Sequence, residues 1–399
     1  MKPIAITGLG AVSPFGYGIN ALWHGMEAGP APLSPIPEAE YKHSPGLYGP
    51  APFHTLPRGN ALIARANTFA RIGYWAAHDA LRDARYRVGD GYRCALISGS
   101  TIGYSVVSQF GDMLDMGRSQ YLYHSAVNGV ISIRERVRGM QIMLYSQESV
   151  STQGIGLASQ LIAGGKYQAA LVGGVEIYSR ALHACYSSVR KISPLDTAGI
   201  QTGEPALRPW HPNRNGFIFS EGACYLLLED LQMARDRGAH IYGLITGWGT
   251  CQEQAYDNYE IDESGKGLSD SIDQALGRAG VGIDQVDVVI ASANGSVKKD
   301  IVEFQCLGGK FTDIGTAPVT ITGYKQLLGE TLGAGGAFST ALACLSITHG
   351  ALLPTIDAGI PTPDSIEFSN GDKLIGTNLL ITDLGYHGDS AALLLRRNQ

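Results

Sequence analysis

Six short aliphatic runs, each closing on glycine or other small residues, constrain this chain more than anything else in its sequence. They are Ile4–Gly10, Ala95–Gly99, Ala169–Gly174, Ile241–Gly249, Val288–Gly295 and Leu379–Gly385. None alternates apolar with polar residues, so each reads as a strand covered on both faces. Helical patterns lie between them, over Ala61–Ala84, Gly154–Ala163, Leu231–Arg237 and Leu268–Ala279. Buried strands alternating with helices imply a layered α/β fold. The pattern runs twice, once on each side of about residue 230, and predicts two similar halves, 1–230 and 231–399, without a plain sequence repeat. Glycine, at 52 of 399 residues, is the compositional outlier behind this pattern.

Eight of the 18 prolines fall between Pro30 and Pro57, which predicts an irregular surface excursion, since proline serves neither inner strands nor helix interiors. Charged residues make up only 17% of the chain, against 44% hydrophobic, which fits a large dry core and a surface buried against a partner. The net charge of −6 and the lack of any Lys/Arg run exclude a nucleic-acid partner. No stretch of eighteen apolar residues exists to span a membrane, and the opening Met1–Gly8 does not read as a signal peptide. The six cysteines stand singly with no C-x-x-C, so neither a zinc site nor a disulfide framework is expected. A reducing cytoplasm is the expected setting, and no metal or cofactor is expected.

Several segments, in order along nearly the whole chain, resemble the β-ketoacyl-ACP synthase family. Ile4-Ala5-Ile6-Thr7-Gly8-Leu9-Gly10 is similar to its first strand. Ile162–Gly165 followed by Ala170–Glu176 is similar to the helix and strand beyond its nucleophile. Arg208-Pro209-Trp210 through Gly216–Ala223 resembles its R-P-F…D-G-F-x-x-G-E-G-A stretch. Leu226–Glu229, Ala234–Ala239, Thr322–Lys325 with Leu332–Ala337, and the tail from Leu384 to Leu394 continue the likeness. The resemblance implies a thiolase-like five-layer αβαβα fold made of two similar halves, and an obligate dimer.

Members of this family lengthen acyl chains by decarboxylative condensation, which calls for a thiolate to carry the acyl group and two histidines to assist loss of carbon dioxide and stabilise the enolate. Counting back from Gly173-Gly174 to the nucleophile's place lands on Glu148. Ala293-Asn294-Gly295-Ser296 stands where the family has A-H-G-T, so Asn294 takes the place of the first histidine, with a loop shortened by two residues before Asp300 and Glu303. Lys325 matches the family lysine, and Glu330 lies where the second histidine belongs. A carboxylate is a poor acyl carrier, Asn294 cannot exchange a proton, and an ionised Glu330 would repel an enolate. The expectation is that Cys-His-His is replaced by Glu148, Asn294 and Glu330 and that the chain has no independent activity.

The resemblance then points to the chain-length factors of bacterial type II polyketide systems, more loosely to the subunits serving aryl-polyene synthesis. Such a subunit is expected to form a heterodimer with an active β-ketoacyl-ACP synthase, to shape its acyl tunnel, and to meet the acyl carrier protein and its acyl chain through that complex. The alternatives are a malonyl-ACP decarboxylase using Glu148 and Asn294, and a homodimeric acyl- or ACP-binding module.

Plainer roles stand beside these. Glu148 serves as a structural helix-start carboxylate by default, and Ser149 and Ser151 are ordinary helix-start hydroxyls. Lys325 and Glu303 read as residual scaffolding, or Lys325 and Glu330 as a pair that shuts the tunnel end. Tyr386 and His387, in Gly385-Tyr386-His387-Gly388, lie at the family's Gly-Phe-Gly-Gly gate, although a lone histidine in such a turn is more often solvated or backbone-bonded. Ile142, Met143 and Leu144, on the strand Gln141–Tyr145, and residues around 107–134 including Val127 and Asn128, are the interface and tunnel-wall candidates. Core packing explains the strand residues equally well.

Overall fold

The structure is a computed structural model that describes residues 1–36, 46–89, 93–103, 123, 125–193, 207–253, 260–312, 317–355 and 358–398. The six glycine-terminated runs all become strands, and five further strands form beside them. In the first half the strands are β1 (Ile4–Ser13), β2 (Cys94–Ser100), β3 (Gln141–Tyr145), β4 (Ala169–Glu176) and β5 (Gly222–Asp230). In the second they are β6 (Gly243–Gln252), β7 (Val288–Ile290), β8 (Val319–Thr322), β9 (Ile366–Phe368), β10 (Asn378–Leu384) and β11 (Asp389–Arg396). Every residue of β1, β2 and β4 is buried, as runs without alternation require.

Strand order shows the duplication that the sequence hides. The first half runs β1-β5-β4-β2-β3 and the second β6-β11-β10-β7-β8, with β9 added at the far edge. In both, the first two pairings are antiparallel and the next two parallel. The halves join through β1 and β6, which pair only from Ile4 opposite Ile245 to Ile6 opposite Gly243.

Two helices lie between the sheets: α3 (Val150–Ala163) and α6 (Gly335–His349). In α6, Gly335 through Ile347 are all buried, so it has no polar face. Outside the first sheet lie α1 (Thr68–Asp83), on β1, β5 and β4, and α2 (Ala126–Glu135), beside α1 and β2. Outside the second lie α4 (Lys266–Ala279), on β6 and β11, and α5 (Val297–Phe311), beside α4. The result is the five-layer thiolase-like fold.

The glycines are what let these layers close. A Cβ on Gly10 of β1 would sit 2.1 Å from the carbonyl of Ala76 in α1, and one on Gly336 of α6 would sit 1.9 Å from Thr152 Oγ1 of α3. Helix backbone therefore lies directly on strand backbone, and helix on helix, at distances no side chain would allow.

Two local expectations change. The helix expected over Ala61–Ala84 is broken into Ala61–Arg65 and α1, because Asn67 caps the second piece by accepting from Ala70 N at 2.8 Å. The proline-rich stretch is not wholly a surface excursion: Ile36 and Leu47 are buried, and Leu47–Gly49 pairs with Phe219–Ser220 in a small separate sheet. Residues 37–45 of it lie outside the described residues. Among the described residues no helix is long and apolar enough to cross a membrane.

Candidate active site

Four loops that follow the carboxyl ends of strands converge near the start of α3. Ser146–Ser149 leads from β3 into α3, Ala291–Ser296 leads from β7 into α5, the short helix Lys325–Leu328 follows β8, and Gly385–Gly388 turns β10 into β11. Loops at strand carboxyl ends are where α/β sheets bind ligands.

Their side chains form a buried charged centre. Glu330 is its most heavily engaged member: Oε2 accepts from Asn294 Nδ2 (2.6 Å) and Lys325 Nζ (2.9 Å), and Oε1 from the Leu332 amide (2.8 Å). Lys299 Nζ lies 4.0 Å from the same Oε2. Asn294 is held in turn, since Asp300 accepts the Asn294 and Gly295 amides, both at 3.0 Å, and Asn294 Oδ1 accepts the Ser296 amide. Glu303 braces the strand ends by accepting from Ser292 N and Thr382 Oγ1. Asp383 accepts from Thr152 Oγ1 at the start of α3 and lies 3.9 Å from Lys325 Nζ. Glu148 is fully buried one residue before the α3 cap, and its Oε2 accepts the Tyr386 amide at 3.1 Å.

Charge, not hydrogen bonding alone, sets the states of these groups. Burial opposes charge on Glu330, but the ammoniums of Lys325 and Lys299 and the Asn294 amide overcome it and hold this carboxyl below its ordinary value. Burial likewise works against the Lys299 ammonium, and Glu148, Glu330, Asp383 and Glu303 together outweigh it, so Lys299 stays charged. Asp383 is pushed up to about 7 and Asp300 and Asp389 to about 6, in each case first by burial. Near neutral pH the centre thus combines firmly charged groups with carboxyls close to taking a proton.

The structure brings Glu148, Asn294, Glu330, Lys325, Glu303 and Tyr386 together. His387 lies beside them, with Nδ1 3.1 Å from Gln147 Nε2, on a backbone with φ 68°. Ile142, Met143 and Leu144 are half-buried on β3, the outermost strand of the first sheet. Val127 and Asn128 lie inside this chain: Val127 packs in the core, and Asn128 donates to Ile142 O and accepts from Ser98 Oγ, which leaves them no surface to offer a mate. Of the stretch around 107–134, residues 107–122 and His124 lie outside the described residues.

Sequence reasoning missed Lys299, Asp383 and Asp389. Each is a charged residue beside or within an apolar run, and Lys299 stands four positions before Glu303, on the same face of α5. That spacing is the signal that could have found it. Among the described residues no group of three or more His, Cys, Asp or Glu side chains is placed to hold a metal ion.

One expectation is corrected. Replacement of Cys-His-His by Glu148, Asn294 and Glu330, and the absence of independent activity inferred from it, is not supported. The N-terminal half carries a buried cysteine, Cys94, at the first residue of β2, and the count that ended on residue 148 took no account of it. Cys94 is 1% exposed, its Sγ lies 3.6 Å from Ala95 O, and burial pushes its thiol up to about 12.

Known proteins show the same architecture over the full chain. A protein named 3-oxoacyl-(acyl-carrier-protein) synthase 2 from Coxiella burnetii is 26% identical over 419 residues, covering 99% of both chains. A β-ketoacyl synthase from Burkholderia phymatum superposes with a TM-score of 0.86 at 23% identity, with both chains fully covered. The ishigamide ketosynthase/chain length factor superposes with a TM-score of 0.83 at 22% identity, again over all of both chains. The family model for the β-ketoacyl synthase N-terminal domain matches residues 1–234, and that for the C-terminal domain residues 242–358. With both domains matched in order around the two-sheet core, the chain belongs to the β-ketoacyl synthase family.

Proposed function

We propose that this chain is a chain-length-factor-type subunit that pairs with a β-ketoacyl-ACP synthase and shapes the acyl tunnel of the pair during type II polyketide-like chain elongation. The observation that carries this reading is the outer edge of the first sheet. There β3 presents Ile142, Met143 and Leu144 half-buried and Tyr145 45% exposed, on a strand that among the described residues pairs with β2 alone. An apolar strand with an open backbone edge calls for a partner. Exposed Ile133 on the neighbouring α2 extends the apolar surface. The likeness to the ishigamide ketosynthase/chain length factor supports the architecture of such a pair. In the same reading the chain divides into halves 1–230 and 231–399, the Tyr386–His387 turn borders the tunnel, and an acyl carrier protein delivers the chain.

A second reading, a homodimeric condensing enzyme, is favoured by relatives named as synthases that match along the whole chain. One experiment separates the two. The chain is purified alone and after co-expression with an active β-ketoacyl-ACP synthase from the same genome, and condensation of acyl and malonyl thioesters is measured for both. Co-purification as a 1:1 complex that makes products of defined length supports the partner subunit. Condensation by the chain alone at a rate matching the pair would overturn it in favour of the second.

A further inference from the structure

The turn from Gly385 to Asp389 lies against Ser146–Ser149, and each segment lends the other a carboxylate. Glu148 Oε2 accepts the Tyr386 amide at 3.1 Å, while Asp389 Oδ2 accepts the hydroxyls of Ser149 at 2.6 Å and Ser146 at 3.1 Å. Gln147 and His387 meet between them, Tyr386 OH lies 2.9 Å from Ser296 Oγ, and Gln252 Nε2 donates to the His387 carbonyl. The two segments are thus clasped reciprocally.

The clasp is held against opposing forces. Both carboxylates are buried, and each has an oxygen, Glu148 Oε1 and Asp389 Oδ1, with no hydrogen-bond partner among the described residues. His387 holds a left-handed backbone, φ 68° and ψ 4°, which a side chain with a Cβ disfavours. Facing the pair are Lys299 of α5, whose ammonium is shared with Glu330, Asp383 and Glu303, and Tyr386, which also feels Asp300 and Glu330. Lys191 Nζ lies 5.1 Å from the Tyr386 ring centroid. Lys299 is the cation that acts on both clasp carboxylates among the groups facing them, and Lys325 is engaged by Glu330. Two charged carboxylates would therefore leave uncompensated negative charge in a dry interior.

We propose that the clasp is closed while Asp389 holds a proton, and that losing this proton as pH rises frees the turn Gly385–Asp389 from the start of α3. The turn is then a proton-fastened strap over the charged centre. Burial and the nearby Glu148 push the Asp389 carboxyl up to about 6, which places the loss between mildly acidic and neutral pH.

Amide hydrogen exchange tests this on the full chain. The protection factor of the Tyr386 amide, corrected for intrinsic exchange, is followed from pH 5.5 to 8.5, with the Leu171 amide of β4 as the core reference. The expected result is a fall of roughly tenfold for Tyr386 with no matching fall at Leu171. Asp389→Asn keeps an acceptor but removes the titrating group, so Tyr386 protection should become independent of pH, while Glu148→Gln removes the neighbouring charge that pushes Asp389 up, so the fall should move to lower pH. Circular dichroism selects whichever variant folds. Constant protection in the unaltered chain, a parallel fall at Leu171, or a folded variant that keeps the original pH profile would each overturn the proposal.

Discussion

The charged centre and the β3 edge invert the usual order of a folded chain. Inside, Lys299 and Lys325 are buried with Glu330, Glu148 and Asp383, so each ammonium faces more than one carboxyl. Outside, β3 carries an isoleucine, a methionine and a leucine between two exposed ends. A buried ion network costs desolvation that mutual attraction only partly returns, so it persists where its members are interdependent. An apolar edge costs nothing until it meets another surface. The centre should therefore fail as a unit within one chain, while the edge should fail only in assembly.

The sharpest way to break this contrast is Lys299→Met. It removes the ammonium that Glu148, Glu330, Asp383 and Glu303 share and leaves buried carboxylates uncompensated. A loss of about 3–5 kcal/mol is expected in urea unfolding at pH 7. A loss below about 1 kcal/mol would show that the centre is already neutralised by protons.

Next in size is the response to pH. Asp383, Asp300 and Asp389 have folded-state values above their ordinary ones, as does Glu176, pushed up to about 8. The folded chain therefore binds more protons than the unfolded one, and stability falls as pH rises from about 4 through about 8. Glu330 acts in the opposite sense, with a lowered value, and its contribution is lost only on acidification below the ordinary carboxyl range. Thermal unfolding should thus occur at higher temperature at pH 5.5 than at pH 8.5, and a flat or reversed trend would contradict the dry centre.

The edge should answer differently. Ile142→Asp places a charge on a half-exposed strand position, so it should cost the isolated fold no more than about 1 kcal/mol while abolishing co-purification with a ketosynthase. Large destabilisation of the chain alone would show that Ile142 is core. The smallest expected effect concerns Cys94. Its neutral, buried thiol should react with a maleimide in native buffer only as fast as the fold opens, with full labelling in denaturant. Rapid native labelling would show that this thiol is reachable and active.

Much of the fold is legible because burial on both faces leaves a mark in sequence. Ile4–Gly10, Ala169–Gly174 and Leu379–Gly385 show no alternation, and they become inner strands. The helix break at Asn67 was missed because a side-chain cap outweighs an apolar period that continues through it. At the site, Glu148, Asn294, Lys325 and Glu330 are singled out by position relative to glycine-rich segments such as Gly173-Gly174, where backbone contact leaves no room for a side chain. Lys299, Asp383 and Asp389 had no such landmark, and Val127 and Asn128, interface candidates by the family resemblance, are covered by this chain itself.

The sequence by itself determined a layered α/β chain in two rounds, since strand burial and helix period are local properties written in residue order. Only the tertiary structure decided that the rounds share one strand order, that β3 lies at an edge, and that charges 182 positions apart, Glu148 and Glu330, answer to one ammonium. Electrostatic partnership in a dry interior depends on distance in space, and no local pattern encodes that distance.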